Sequence, residues 1–401
     1  MNINKRFLLI ASIIILVANF KSIGQLQFEP IIMGQFGYEN NIFKAPNVLL
    51  DNLGDPIPES ELIKSDMFLD YGYNLGFRYK AKRHNFYIDQ GFWGRNFFNY
   101  QSLNQYSFNL NLKYKYKISK HFETGIKYDI SKNNKIGTSA LGDELQQKFS
   151  YLKNNIELFL DYEIAKYTDL ELAINYYNKY YDKDPAVIPL DANNFGSDLK
   201  FTQDLNSGNF KSTVFLKINY AIRKYSDLIA LDSSGNLNTG NPLRDWRYFG
   251  VDFEYKISQI GKFSFAPYYW YDNRNDQFED YYSYNSNELG LKIYYKGDKL
   301  NFKLAPSYSV TKYEIKKAPD PNGIDPLLVY KYFDLDLQMN YLLYKGINLS
   351  LDFNTSNRYT NTLNESYKTR RGYNSFEIMV GFSFNPYQLY VDRKKDEDER
   401  K

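Results

Sequence analysis

The sequence contains no cysteine, which removes thiolate metal sites, disulfide frameworks and a lipid anchor on cysteine from consideration. It has only two histidines, His84 and His121, so little material for general-base chemistry near neutral pH. Charge of one sign is also lacking. Fifty basic against forty-seven acidic residues leave a formal +3, without the basic excess that marks nucleic-acid binding. Long apolar runs are absent beyond the first two dozen residues, so no helix of about 20 residues is available to cross a bilayer.

The one apolar run, Phe7 to Ala18, follows the basic pair Lys5 and Arg6 and precedes the small residues Ser22 and Gly24. That order is the pattern of a secretory signal peptide, with cleavage expected before Gln25 and an uncleaved anchor as the alternative. The chain therefore divides into a leader (1–24), a main body (25–386) and a charged tail (387–401) whose run Asp392 to Lys401 reads as a solvated extension.

What the body has in abundance is aromatic residues, forty Tyr and thirty Phe, arranged with a period of two. In Tyr106, Phe108, Leu110, Leu112, Tyr114, Tyr116 and Ile118 every second residue is apolar, and the positions between are Ser107, Asn109, Asn111, Lys113, Lys115 and Lys117. Such alternation places one face of a strand in an apolar and the other in a polar medium. It continues for roughly 10 residues or more per segment, the length of a tilted membrane-crossing strand, where strands of soluble domains average about 5 to 6. Short connections (Lys82 to His84, Ser119 and Lys120, Ser207 to Asn209, Gly297 and Asp298, Lys345 and Gly346) alternate with long ones (Lys44 to Ser65, Asn133 to Gln146, Lys183 to Asn194, Ser226 to Leu243, Lys317 to Pro326).

These features predict an all-β fold, a transmembrane antiparallel up-and-down barrel of about sixteen strands with no plug domain. The first strand is expected over 26–43 and the last over 368–385. Weak alternation around Asp204 to Gly208 makes the hairpin between Gly196 and Tyr225 the least secure, leaving fourteen or eighteen strands open.

The chain resembles the porin-like outer-membrane barrels, especially the Tyr-, Asn- and Lys-rich ones of Bacteroidetes-type bacteria, over nearly all of the body. The resemblance implies an outer-membrane protein with both termini periplasmic, surrounded by lipid and lipopolysaccharide and inserted by the barrel-assembly machinery. It implies that Phe384, or a residue within Tyr387 to Val391, ends the closing strand. It also implies passage of small polar solutes and no cofactor. A non-conducting barrel serving as scaffold in a surface, polysaccharide-export or secretion complex is the alternative, and the oligomeric state stays open.

Candidate pore-lining residues follow from the alternation. Arg78, Lys80, Arg95, Lys113, Lys115, Lys117 and Lys127 gather on the second to fifth strands, and Asp334, Asp336, Asp352 and Glu377 on the fourteenth to sixteenth. Opposed basic and acidic walls are one expectation; charges that pair across the lumen or simply keep it hydrated are the other. Asp252 with Glu254, and Asp161 with Glu163, add carboxylates spaced by two and so sharing a face. Tyr87, Trp93, Tyr177, Tyr248, Tyr268 and Trp270 are expected to point inward, with filling of space or a place at the interface favoured over stacking on sugar rings. Paired carboxylates can hydrolyse glycosides, but a wet lumen requires charged residues in any case. Both histidines fall at short turns beside Arg83 and Lys120, so an enzyme is not expected. The loop Asp320, Asn322, Gly323, Asp325 carries oxygen ligands without the spacing of a Ca²⁺ loop, and no metal is expected there.

Overall fold

The computed structural model describes residues 25–46, 49, 55–138, 144–182, 190–207, 210–318, 325–362 and 372–386. The expected leader, the charged tail, and Asp320, Asn322 and Gly323 lie outside them.

The strands run in order β1 (Gln25–Glu39), β2 (Asp66–Ala81), β3 (His84–Phe97), β4 (Gln105–Lys117), β5 (Phe122–Asn134), β6 (Ile136–Thr138), β7 (Glu144–Lys148), β8 (Tyr151–Ala165), β9 (Thr168–Tyr181), β10 (Ala192–Ser207), β11 (Phe210–Ile229), β12 (Leu243–Ile260), β13 (Phe263–Asp276), β14 (Tyr284–Lys296), β15 (Leu300–Lys317), β16 (Leu327–Tyr344), β17 (Ile347–Thr360) and β18 (Tyr373–Phe384). Sixteen of them close into one antiparallel barrel in which every strand pairs with its neighbours in the chain. β6 and β7 form a separate small hairpin within the β5–β8 connection, a stretch expected to be plain loop. Among the described residues no plug domain accompanies the barrel.

The barrel closes where β1 meets β18, from Ile32 opposite Phe384 to Glu39 opposite Glu377. Phe384 is therefore the last residue of the closing strand. The first half of β1, from Gln25 to Ile31, pairs with β2 alone.

The doubtful hairpin is regular. β10 and β11 stay in register without interruption from Ala192 opposite Tyr225 to Ser207 opposite Phe210. β10 begins at Ala192, earlier than expected, because the backbone of Asn193, Asn194 and Phe195 continues the ladder to β9 despite its loop-like composition. β11 likewise extends to Ile229, into what was expected to be loop.

Among the described residues one end of the barrel carries only tight turns. Gly261 and Gly346 adopt φ of 64° and 74° there, and Lys82 and Tyr167 take φ of 46° and 69°. A two-residue hairpin turn must twist with its strands, which requires a positive φ. The opposite end carries the long connections.

Alternation sets the two surfaces. On β8 the outward set Leu152, Ile156, Leu158, Leu160, Tyr162 and Ile164 is exposed, with Leu158 at 57%. The same holds around the barrel, for example at Leu172 and Ile174 on β9 and at Ile378, Val380 and Phe382 on β18. A continuous apolar belt of this extent belongs against hydrocarbon. Aromatic contacts band it at both ends, among them Tyr79–Phe86, Phe86–Tyr114 and Tyr295–Phe302 near the tight turns, and Tyr38–Phe376 and Phe36–Phe98 near the long loops. His84 belongs to the first band, stacked on Tyr114 and hydrogen-bonded to its hydroxyl at 2.9 Å.

The clusters of buried apolar side chains lie at the long-loop end. Ile42 and Phe43, from the connection between β1 and β2, pack with Leu103 against inward-facing Phe68, Phe97 and Met379. Gly37 makes the contact fit, since a Cβ there would lie 2.3 Å from the Phe68 ring. Asn41 pins the segment by accepting from the Ala45 amide (2.9 Å) and donating to the carbonyls of Ala45 (2.8 Å) and Asn374 (3.0 Å). Residues 41–45 of the connection thus fold over the inner wall rather than outward, as their apolar side chains require.

Candidate pore lining

With the apolar set outside, the remaining parity of each strand faces the lumen. Arg78, Arg95, Lys113, Lys115, Lys127, Asp252, Glu254, Asp334, Asp336, Asp352 and Glu377 all carry that parity, as do Tyr87, Trp93, Tyr177, Tyr248, Tyr268 and Trp270.

The opposed basic and acidic walls do not form; most of the charges pair locally. Arg78 meets Glu29 at 3.4 Å, Lys115 meets Glu123 at 3.7 Å, and Lys127 meets Asp129 at 3.2 Å. Glu254 accepts from Lys292 at 2.6 Å and Asp336 from Lys303 at 2.7 Å, while Asp352 accepts from Gln35 at 2.5 Å. Asp252 faces Lys217 across the β11–β12 ladder. The reason is geometric: each strand of the ladder offers neighbours a few ångströms away on the same face, nearer than the opposite wall.

Arg95 stands apart. Its guanidinium is bidentate to Asp70 (2.8 and 2.7 Å), donates to Glu377 at 2.5 Å, lies 3.8 Å from Glu39 and rests 3.7 Å above the Phe68 ring. Lys44, from the infolded connection, adds a second cation at 2.5 Å from Glu39. One buried cluster therefore ties β2, β3, β18, β1 and the infolded segment together.

Lys113 lies 4.8 Å from the ring of Phe159, an inward aromatic that the sequence reading passed over. Phe159 is nearly fully buried because it lies flat on Gly125, where a Cβ would come 2.3 Å from its ring. Asp334 lies with Trp270, Tyr284, Tyr332 and Arg358 around a recess of about 390 Å³ at the long-loop end.

Also missed were Lys153, Lys179 and Arg223, inward residues of β8, β9 and β11 at the long-loop end. Lys179 sits 3.8 Å over Tyr151, Lys153 sits 4.3 Å over Tyr177, and Arg223 donates to the Tyr177 hydroxyl at 2.7 Å. The signal was present as Tyr-x-Lys-x-Tyr over Tyr177, Lys179 and Tyr181 on the lumenal parity.

The tight-turn end of the same wall is acidic. His121 contacts Glu163 at 2.7 Å there, in a basin that also holds Asp161, Asp169 and Glu171, with Lys200 bonded to Glu171. His121 is thus an exposed turn residue hydrogen-bonded to a carboxylate, and Asp161 and Glu163 share its basin as their spacing predicted.

No protein-family model matches the sequence, and no curated protein is similar to it at the sequence level. The fold is shared with solved outer-membrane proteins of Acinetobacter baumannii. OccAB1 is 10% identical with a TM-score of 0.50, the match covering 89% of this chain and 96% of that one. The outer membrane channel DcaP is 12% identical, also at 0.50, over 91% of this chain and 98% of that one. The likeness is one of architecture: a closed antiparallel barrel of the outer-membrane channel type.

Proposed function

We propose that the protein is an outer-membrane channel for passive diffusion of small polar solutes, with the residues named above lining its path. The observation that carries this reading is the wetness of the inner wall. Paired charges in mid-wall keep a substantial part of their side-chain surface accessible, 30% and 29% for Lys303 and Asp336 and 31% and 24% for Lys292 and Glu254. A lumen stuffed with protein would bury such pairs, whereas sixteen strands enclose enough space for an aqueous passage.

In this reading residues 1–24 are a cleaved leader, the barrel-assembly machinery inserts the body, and both termini and the tight turns face the periplasm, leaving the long loops among lipopolysaccharide. The Tyr-, Asn- and Lys-rich composition suits a barrel of the Bacteroidetes type. The tail 387–401 is a solvated periplasmic extension.

Purified protein should give stepwise conductance in a planar bilayer, and Lys113→Glu with Lys115→Glu should shift its reversal potential toward cation preference. Silent bilayers from protein that still shows the heat-modifiable migration of a folded barrel would favour a scaffold instead. Replacing Phe43 by Ser should loosen the infolded segment and raise single-channel conductance. Equal conductance would mean that this segment does not narrow the passage.

A further inference from the structure

Many lumenal cations of this barrel sit in an ion pair with a carboxylate, but among the described residues the group formed by Lys153, Lys179 and Arg223 does not. Lys153 and Lys179 are directly opposite each other in the β8–β9 ladder, a like-charge placement that is unfavourable unless something negative sits between or above them. On the other side of Lys179 the facing residue is Ala192, and Ala192 in turn faces Tyr225. The missing side-chain bulk at Ala192 leaves a recess of about 220 Å³, lined by the three cations, tyrosines and Leu190, with no Asp or Glu among the described residues of its wall.

Among the described residues none of the three forms an ion pair with a carboxylate. The acids whose charge reaches them are engaged elsewhere: Asp129 with Lys127 at 3.2 Å and with Asn155 at 3.0 Å, and Asp272 accepting from the Tyr284 hydroxyl at 2.8 Å. What holds the cations is aromatic. Lys179 lies over Tyr151 (3.8 Å) and Tyr181 (4.7 Å), Lys153 over Tyr177 (4.3 Å), and Arg223 is fixed by the hydroxyls of Tyr177 (2.7 Å) and Tyr248 (3.1 Å). Ring faces and phenol oxygens position a cation without neutralising it. The result is three fixed positive charges around one water-accessible recess, where low-dielectric walls focus their field.

We propose that Lys153, Lys179 and Arg223 form a binding site for small multivalent oxyanions, phosphate or di- and tricarboxylates, at the long-loop end of the lumen. Two ammonium groups and one guanidinium supply charge-assisted donors to several negative oxygens at once, which a monovalent halide cannot exploit. Capture is independent of transport; the further step, that captured anions are passed inward, rests on the channel reading above.

The test is calorimetric titration of the full folded chain in detergent at low ionic strength, with inorganic phosphate in one arm, citrate in the other and chloride as the reference. Saturable uptake of phosphate, citrate or both, absent for chloride, is expected, and the arm that binds assigns the chemistry. Lys179→Gln and Arg223→Gln, each verified as folded by heat-modifiable migration, should weaken it about tenfold, and Lys179→Glu, which gives Lys153 an internal partner, should abolish it. Lys262→Gln at a tight turn should bind as the parent does. No saturable uptake, or uptake that the three substitutions leave unchanged, overturns the proposal. A protein that conducts without binding loses this site and keeps its channel; one that binds yet stays silent in bilayers keeps the site and loses the channel.

Discussion

Replacing Arg95 by Met should cost about 3 to 5 kcal/mol of folding stability, the usual effect of removing one partner from a buried ion cluster. The guanidinium is 10% exposed and is the shared partner of Asp70, Glu377 and Glu39. Without it those carboxylates face one another with only Lys44 to offset them. The attraction itself is not the main quantity at stake, because desolvating so many charges opposes it. The loss comes from stranding the acids. Hence the triple variant Arg95→Met, Asp70→Asn, Glu377→Gln should recover most of the lost stability. Denaturant unfolding in detergent, followed by tryptophan fluorescence, measures both. A single variant within about 0.5 kcal/mol of the parent, as for an ordinary surface position, would refute the account.

Introducing arginine on the two faces of the wall should give opposite results. Leu158→Arg, in the middle of β8 and on the apolar belt, is expected to destabilise the barrel by about 2 to 4 kcal/mol, the cost measured for a cation at the bilayer midplane. Ser307→Arg, in the middle of β15 on the inner parity and opposite Asp334, should be close to neutral because the new charge meets water and a carboxylate. Unfolding from lipid bilayers reads the difference directly, and equal effects at the two positions would remove the assignment of faces.

Much of the architecture is legible in the sequence because a barrel wall has one rule, strict alternation, repeated for the whole length of each strand. Tyr106 to Ile118 displays it fully, and the tight turns announce themselves at Lys345 and Gly346. Asn193, Asn194 and Phe195 hid the start of β10 because their composition suits a loop, while their backbone is held by neighbours on both sides. The lumenal partners were harder to read for a different reason. Which side of a strand a charge occupies is a local property, but its partner is chosen by the curvature and shear of the closed sheet. Glu254 reaches Lys292, 38 positions away, and Arg95 reaches Glu377, 282 positions away. The group at Lys153, Lys179 and Arg223 escaped notice because its residues are spread over three strands, which only the ladders β8–β9–β10–β11 bring side by side. The infolded connection between β1 and β2 shows in the sequence only as a few apolar residues in a long loop.

The seam between β1 and β18 is shorter than β1 itself, so among the described residues Gln25 to Ile31 present one strand edge without a neighbour. Unpaired edges invite other chains to add a strand, in this chain or between copies of it. Here the exposed half contains Pro30, which has no amide hydrogen to offer, beside the charged Glu29. Proline and charge at that place discourage edge-to-edge addition, and the barrel is thereby guarded against sheet growth along that open stretch of its seam.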